Sequence, residues 1–585
     1  MIIYRDQRSA ADTRTLLARA RSALDELSAT SSHQQIVELL IACGTLESAL
    51  SDALFPEVDA VHPTIDLLRQ ASVAAGHMVW HSWHGQPHLI ERWLGLASRA
   101  LSQVGGHALP KQVEISVPEG YAYYGVYPEM YLEAAKSFAQ PLQRSSAVCL
   151  GLRSIGSSLS AVVAAALEEL GWNVESWTLR PRGHPFERTP RLAPELDQKL
   201  RSTSDSRFLV IDEGPGISGS SFVGTGAMLR ELGIPQDRIT LFPSWRTEGG
   251  QLRSPAARDQ WASYEQVVTT FEGVWLDSGR LTQAFPGTLT DLSAGSWRNL
   301  MFDSSVCYPA VQPQHERRKY LLRPAEVEHT SAAQPPLLLK FAGLGAEARA
   351  NVLRGKALAQ AGFSPAPVDL CHGFMATPFL EGKPVPMGHT PGEFLQRVAQ
   401  YLAHLACANR AEPTVADAEL REMTAVNLNE ALDSEEFRRL ERLLPRKWTE
   451  WPVALDARLQ PHEWLQTPTG YVKTDAIDHH RDHFFPGCQD IAWDIAGAAL
   501  ELGLDRSGRS FLVGEYRRLS HDHAITHRLP HYAIAYLAFR IGYATLAVEV
   551  LGSAHEDGQR FRTQGKWHRR LLSELSAASS HFWDV

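Results

Sequence analysis

Residues 208–222 read FLVIDEGPGISGSSF. Four apolar residues run into Asp212 and Glu213, and a Gly/Ser-rich loop then opens a segment with helical spacing. A strand–loop–helix unit of this kind suits an anion. Glycines let the backbone fold tightly around it, and the helix N-terminus offers unpaired N–H groups and a positive dipole. Gly216, Ser218, Gly219, Ser220 and Ser221 form that loop, with three hydroxyls as additional donors. Working outward, SSAVCLGL and NVESWTLR read as strands around the Ala-rich helix SAVVAAALEELG, and DRITLFPS reads as the strand that follows. Strand and helix alternating in this way predict a mostly parallel sheet covered on both faces.

Two ligand classes compete for the loop. Gly214, Gly216 and Gly219 match G-x-G-x-x-G, but a dinucleotide site also needs an acid at the end of the next strand. Here DRITLF ends in Pro243-Ser244-Trp245, which disfavours a nicotinamide-dependent oxidoreductase. Paired acids followed by a small-residue loop and a helix resemble instead the phosphoribosyl-pyrophosphate (PRPP) motif of the type I phosphoribosyltransferases. That resemblance covers roughly residues 110–245 and implies a Rossmann-like domain. It assigns Asp212 and Glu213 to the ribose hydroxyls and residues 216–221 to the 5′-phosphate. CLGLRSIGSSLSAVVAAAL, with Arg153, Ser154 and Gly156, resembles the family's pyrophosphate loop, and the Arg-rich loop 180–192, with Arg182 and Arg188, sits where the family has a mobile lid. Upstream, GYAYYGVYPEMY is rich in tyrosine, and Tyr124 is a candidate for stacking on a flat acceptor; inter-domain core is the plainer reading of that run.

From residue 318 on, several segments resemble the aminoglycoside-phosphotransferase and choline-kinase class of small-molecule kinases. The resemblance implies that Lys340 on PLLLKFAG meets ATP phosphates, paired with Glu347 on the next helix. It puts Thr377 and Phe379 beside the adenine, and makes Asp475, with Asp478 nearby, the metal site. Asp490 and Asp494 would be structural acids. The sequence departs from that class in two places. No glycine-rich loop surrounds RKYLLR, and the best candidate for the catalytic H-x-D is PHEWLQ, where Trp464 takes the acid's place. Glu463 or Asp478 is then the alternative base, or the domain binds nucleotide without transfer. The cluster His479, His480, His483 with Asp478 and Asp482 reads as a polar loop beside a nucleotide–magnesium site, with a dedicated metal site as the alternative.

Size and composition bound these readings. A chain of 585 residues exceeds a single core. With 44% hydrophobic and 21% charged residues it has globular usage, and a net charge of −9 argues against a nucleic-acid partner. The six cysteines form no C-x-x-C pair, so neither a zinc knuckle nor a disulfide framework is expected, and a reducing cytoplasm is. No apolar N-terminal stretch suggests a signal peptide, and YAIAYLAFRIGYATLAVEVLG, interrupted by Arg540, reads as a buried helix rather than a membrane span.

The expectation is therefore an α/β multidomain protein. It comprises a helical region (1–110), a parallel-sheet phosphoribosyltransferase-like domain (111–245), a connecting segment (246–312) and a kinase-like α+β domain (313–585). The expected function is Mg²⁺-dependent transfer of 5-phosphoribose from PRPP to a small acceptor, with an ATP-binding second domain that adds phosphotransferase activity. The competing class is a nucleotide-sensing regulatory protein whose two pockets bind without turnover.

Overall fold

The computed structural model describes all residues except 3–7, 143, 326–333, 389, 413–416, 449–450, 483, 486, 579–582 and 584–585. The amino-terminal region holds helices α1 (Thr13–Asp25), α2 (His33–Leu54), α3 (Pro63–Trp83) and α4 (Ile90–Gly105). They are framed by a short antiparallel pair, β1 (Arg8–Asp12) with β2 (Gln112–Ser116). Helix α5 (Pro128–Ala139) then leads into the first sheet. Its strands are β3 (Ser146–Leu152), β4 (Asn173–Leu179), β5 (Arg207–Ile211), β6 (Ile239–Phe242) and β7 (Glu265–Gln266), all parallel, in the order β4-β3-β5-β6-β7. Helices α6 (Gly156–Glu169), α7 (Pro194–Ser202) and α8 (Ser220–Glu231) make the crossovers.

Because successive strand residues point to opposite faces, the two faces divide cleanly. Ala147, Cys149, Leu209 and Ile211 pack against the amino-terminal helices, whereas Val148, Leu150, Phe208 and Val210 pack with Leu196, Phe222 and Trp261. Coverage on both sides explains why β3 is buried almost end to end.

Segment 246–312, expected to be a connection without clear period, contains α9 (Pro255–Gln260), α10 (Arg280–Ala284), β8 (Gly287–Asp291) and α11 (Arg298–Met301). It also supplies the edge strands β7 and β8. The second sheet is antiparallel, in the order β11-β12-β10-β9-β8, with β9 (Lys319–Pro324), β10 (Leu337–Phe341), β11 (Asp369–Cys371) and β12 (Phe374–Pro378). Helix α12 (Ala346–Gln360) lies between β10 and β11.

The rest is mainly helical: α13 (Gly392–Ala408), α14 (Asp417–Ala431), α15 (Ser434–Glu441), α16 (Ala492–Glu501), α17 (Arg506–Ser520), α18 (Ile525–Leu551) and α19 (Glu556–Ala578). Inserted among these are β13 (Lys383–Pro384), β14 (Pro452–Val453), β15 (Trp464–Thr467), β16 (Gly470–Lys473) and β17 (Gln489–Asp490). Among the described residues α18 alone is long and apolar enough to cross a membrane, yet it runs through the second core, with Arg540 held by Glu501 at 3.1 Å. All six cysteines are free thiols.

One hydrophobic core is continuous from the amino-terminal helices through one face of the first sheet to Tyr320, Leu339, Phe341 and Phe374 of the second. Tyr127, Phe271 and Trp275 form the seam, with ring centroids 5.0 to 5.8 Å apart across Tyr127 and Phe341.

Candidate functional site

Two crevices gather the residues that the sequence singled out. The first lies at the carboxyl ends of β3 and β5, where the strand order reverses; in open parallel sheets this is where ligands bind. Asp212 and Glu213 directly follow β5 there, both half-buried. The Asp212 carboxylate accepts the Glu213 N–H at 2.9 Å, and its carbonyl accepts the Tyr131 hydroxyl at 2.7 Å. Glu213 accepts the Gly120 N–H at 2.8 Å. Burial pushes Asp212 up to about 7, with Arg180 and Arg188 opposing, and pushes Glu213 up to about 8, with the Asp212 charge adding to the shift. Gly156 opens α6 beside them, and a Cβ on it would sit 2.7 Å from the Ile211 carbonyl, so only glycine lets this helix start so close to β5. Ser154, at φ +138°, makes the preceding turn, and its carbonyl accepts the Ser48 hydroxyl at 3.1 Å.

The loop before α8 is turned by Gly216 and Gly219, both left-handed. Gly219 is the N-cap of α8; the Ser218 hydroxyl accepts the Ser220 N–H at 3.3 Å, while the Ser220 hydroxyl donates to the Pro185 carbonyl at 2.7 Å. Ser221 stands half-buried in the first turn. Ser220 thus already ties this loop to loop 180–192.

The arginines are arranged differently from the expectation of an anion-binding lid. Arg153 is buried and bonds to Asp52 at 2.7 Å and Asp59 at 2.5 Å. Arg180 pairs with Asp52 and Arg182 with Asp59 at 3.0 Å, and Arg182 also donates to the Phe55 and Pro56 carbonyls. The two acids, from the end of α2 and just beyond it, therefore hold Arg153 and two of the loop's four arginines, leaving Arg188 and Arg191 outside these pairs. Arg188 is half-exposed and close enough to Asp212 to favour its charged form. The tyrosines are mostly core and bridge. Tyr121 bonds to Ser158 at 2.8 Å, Tyr127 to the His372 carbonyl at 2.6 Å and Tyr123 to the Arg481 carbonyl, while Tyr124 is the most exposed of the run.

The second crevice is a cleft of about 160 Å³ between the antiparallel sheet and the helical lobe. Along β10, Leu339 and Phe341 face the shared core while Leu338 and Lys340 line the cleft. Lys340 bonds to Asp475 at 2.6 Å and Asp478 at 3.1 Å. Against the burial that opposes ionisation, Lys340 holds Asp475 well below the usual carboxylate range; Arg317, 2.6 Å away, and Lys340 do the same for Asp478. His479 lies 3.7 Å from Asp475 and, despite burial, is raised by it to about 9. Glu347, expected to partner Lys340, pairs instead with Arg481 at 2.9 Å. Thr377 and Phe379 line the cleft, but the Phe379 N–H already donates to the Pro336 carbonyl at 2.9 Å. In place of a glycine-rich loop, the connection from β8 to β9 sends Trp297, Met301 and His315 over the cleft, and Arg298 fixes it by a two-pronged bond to Asp557 at 2.7 and 3.1 Å.

The sequence reading placed the catalytic H-x-D at His462 and Trp464. Trp464 begins β15 and is buried between Phe394 and Tyr401. The loop joining β14 to β15 carries Asp456-Ala457-Arg458 and, five residues after Arg458, Glu463. Asp456, Arg458 and Glu463 fall at the intervals of the pattern H-x-D-x-x-x-x-N without sharing any of its three residue types. Asp456 and Glu463 clamp Lys473 at 3.1 and 2.7 Å, and Asp494 accepts the Asp456 and Ala457 N–H groups. Asp490 bonds to Arg528 at 2.9 Å. The Arg458 guanidinium lines the cleft over Phe485 and makes no hydrogen bond or ion pair among the described residues, while the Arg458 backbone N–H donates to Asp456 at 3.1 Å. His480 is buried, Asp482 caps the turn at Phe484, and His483 lies outside the described residues.

The two crevices are joined by contact. Glu213 holds Gly120, the Ala122 carbonyl two residues on accepts Arg317 at 2.5 Å, and Arg317 reaches Asp478 and so Lys340.

No family model and no curated protein matches the chain. Among solved structures it is similar to a choline kinase from Streptococcus pneumoniae, at 15% identity over 45% of this chain and 90% of that one, with a TM-score of 0.32. A choline kinase from Cryptosporidium parvum is similar at 12% identity, 51% and 94% coverage and a TM-score of 0.33. So is a spectinomycin phosphotransferase solved with ADP and spectinomycin, at 12% identity, 52% and 97% coverage and 0.33.

Proposed function

We propose that the carboxy-terminal half binds a magnesium–nucleoside triphosphate in its cleft and transfers the terminal phosphoryl group to an acceptor that is itself an anion. Lys340 and the two carboxylates of Asp475 and Asp478 meet across the cleft, and hard oxygen ligands with a nearby lysine fit a magnesium–phosphate group. When bound, the metal would offset charge on the phosphates. Arg458 is the observation that carries the reading. An alcohol acceptor needs a base to take its proton, and the cleft has a guanidinium at that place. A carboxylate or phosphate acceptor needs no base; it needs a cation that brings it beside other negative charge, and arginine's planar fork suits both groups. The acceptor oxygen then forms the new bond to phosphorus, the bond to the bridging oxygen breaks, and the nucleoside diphosphate leaves with the electron pair. No proton moves.

For the first crevice, the position of Asp212 and Glu213 at the switch point supports a phosphorylated ribose as ligand, and the phosphoribosyltransferase reading with PRPP as donor stays as its finer form. The buried arginine pairs move that reading away from a charged lid and toward Arg188 and the backbone of residues 214–220 as the anion's partners.

The experiment is phosphorus NMR of the protein with ATP–Mg²⁺ and, in parallel, carboxylate, phosphate and alcohol acceptors, alongside calorimetric titration of ATP and PRPP. Transfer to the anionic acceptors alone is the expected result. Transfer to alcohols alone overturns the role of Arg458. Binding of both ligands with no transfer favours the nucleotide-sensing alternative.

A further inference from the structure

We propose that His77, His81 and Glu169 form a site for a zinc-class divalent cation, remote from both crevices. His77 and His81 stand one turn apart on α3, so they share a face. The carboxyl end of α6 brings Glu168 and Glu169 to that face. The two helices approach closely because Gly76 meets α6 at Ala161, where a Cβ would lie 2.5 Å from the carbonyl. His77 Nδ1 and His81 Nε2 converge on the same Glu169 oxygen, at 2.7 and 3.1 Å, and the three candidate ligand atoms lie within 4.8 Å of one another. Tetrahedral zinc with bonds of about 2.0–2.2 Å to imidazole and carboxylate needs ligand atoms gathered on this scale.

The surroundings distinguish this cluster from an ordinary hydrogen-bonded pair. A metal-bound histidine characteristically gives its other ring nitrogen to an acceptor that fixes tautomer and orientation. Both histidines have that partner: His77 Nε2 meets Glu168 at 2.7 Å, and His81 Nδ1 meets the Gln86 side-chain carbonyl at 3.1 Å. Trp93 stacks on His77 at 3.6 Å, almost parallel, and holds its ring plane. Both histidines are 2% exposed, whereas Glu169 reaches solvent, which leaves a way in and room for a water as fourth ligand. Neither Glu168 nor Glu169 has a lysine or arginine partner among the described residues; their ion-pair partners there are His77 and His81, which as neutral ligands would leave two carboxylates for a dication to answer. Such a cation would pin α3 to α6, the helix whose first residue abuts Asp212.

The test uses the full-length chain without a histidine tag, stripped with a chelator and dialysed. Zinc is titrated calorimetrically, and cobalt(II) is followed by its visible absorption. One equivalent with the intense bands of four-coordinate cobalt is expected. Glu169→Gln and, separately, His81→Gln should each weaken uptake at least tenfold, and Glu168→Gln by about 10–100-fold, the usual range for an outer partner. The exposed Glu169 position keeps the test independent of folding, because a folded Glu169→Gln chain with altered cobalt bands reports on the ligand itself. Asp475→Asn should leave the stoichiometry at one. No uptake by the wild type overturns the proposal, as does uptake that Asp475→Asn abolishes while Glu169→Gln leaves it intact.

Discussion

Replacing Arg458 by alanine removes a guanidinium that touches the cleft but bonds to no carboxylate there. Turnover with an anionic acceptor should fall by on the order of 10²-fold, the scale for one preorganised charged donor, while ATP affinity changes little. Coupled detection of ADP beside calorimetric ATP binding checks this, and equal losses in both would make Arg458 a nucleotide ligand. The acid pair of the first crevice gives a second prediction. Burial raises Asp212 to about 7 and Glu213 to about 8, against about 4 in the unfolded chain. Between about pH 4 and 8 the native state therefore binds more protons than the unfolded state, and the pair's contribution to stability falls as pH rises through that window. Moving from pH 6 to 8.5 should lower Tm more in the wild type than in Asp212→Asn/Glu213→Gln, and parallel curves would refute it. Asp212 and Glu213 were legible in the sequence because their order along a strand end is local. Arg458 was not, since its place in the loop is defined only once β14 and β15 flank it. The fate of Arg153 and Arg182 was hidden for another reason: their partners, Asp52 and Asp59, come from about a hundred residues earlier in the chain.

At the scale of elements, the connection from β8 to β9 is held over the cleft by Arg298 and Asp557, both largely buried. Breaking a buried pair from one side costs about 3–5 kcal/mol, and Arg298→Met should fall at the lower end because Arg560 still faces Asp557 at 3.1 Å. Chemical denaturation should show that loss, and KM for ATP should rise as Trp297 and Met301 leave the cleft. An unchanged KM would mean that the connection does not shape the nucleotide site. The strands between 146 and 242 could be read from the sequence because apolar runs bounded by turn residues mark doubly covered strands. β8 could not. GTLTD is an edge strand exposed along one side, and its polar face reads as loop until β9 supplies its partner. Likewise β1 is visible only through its pairing with β2, about a hundred residues away.

For the whole molecule, the core that passes from α2 and α3 to Phe341 and Phe374 makes the two crevices parts of one cooperative body. Calorimetry should show the helical region, the first sheet and the second sheet melting together, and a cut at 312/313 should leave neither piece folded, because it takes β8 from β9 and bares the seam. Two soluble, structured fragments would contradict this. The seam also has a consequence in time. Tyr127 leaves the ribosome roughly 250 residues ahead of Phe374, which at about 5–20 residues per second is a wait of about 10–50 s. Throughout that interval the face of Tyr127 that β10 will cover, joined by those of Phe271 and Trp275 once they emerge, is open to solvent or to a chaperone. The nascent chain should therefore be captured by a holdase when synthesis is stalled between residues 280 and 340, and released from it once residue 380 has emerged.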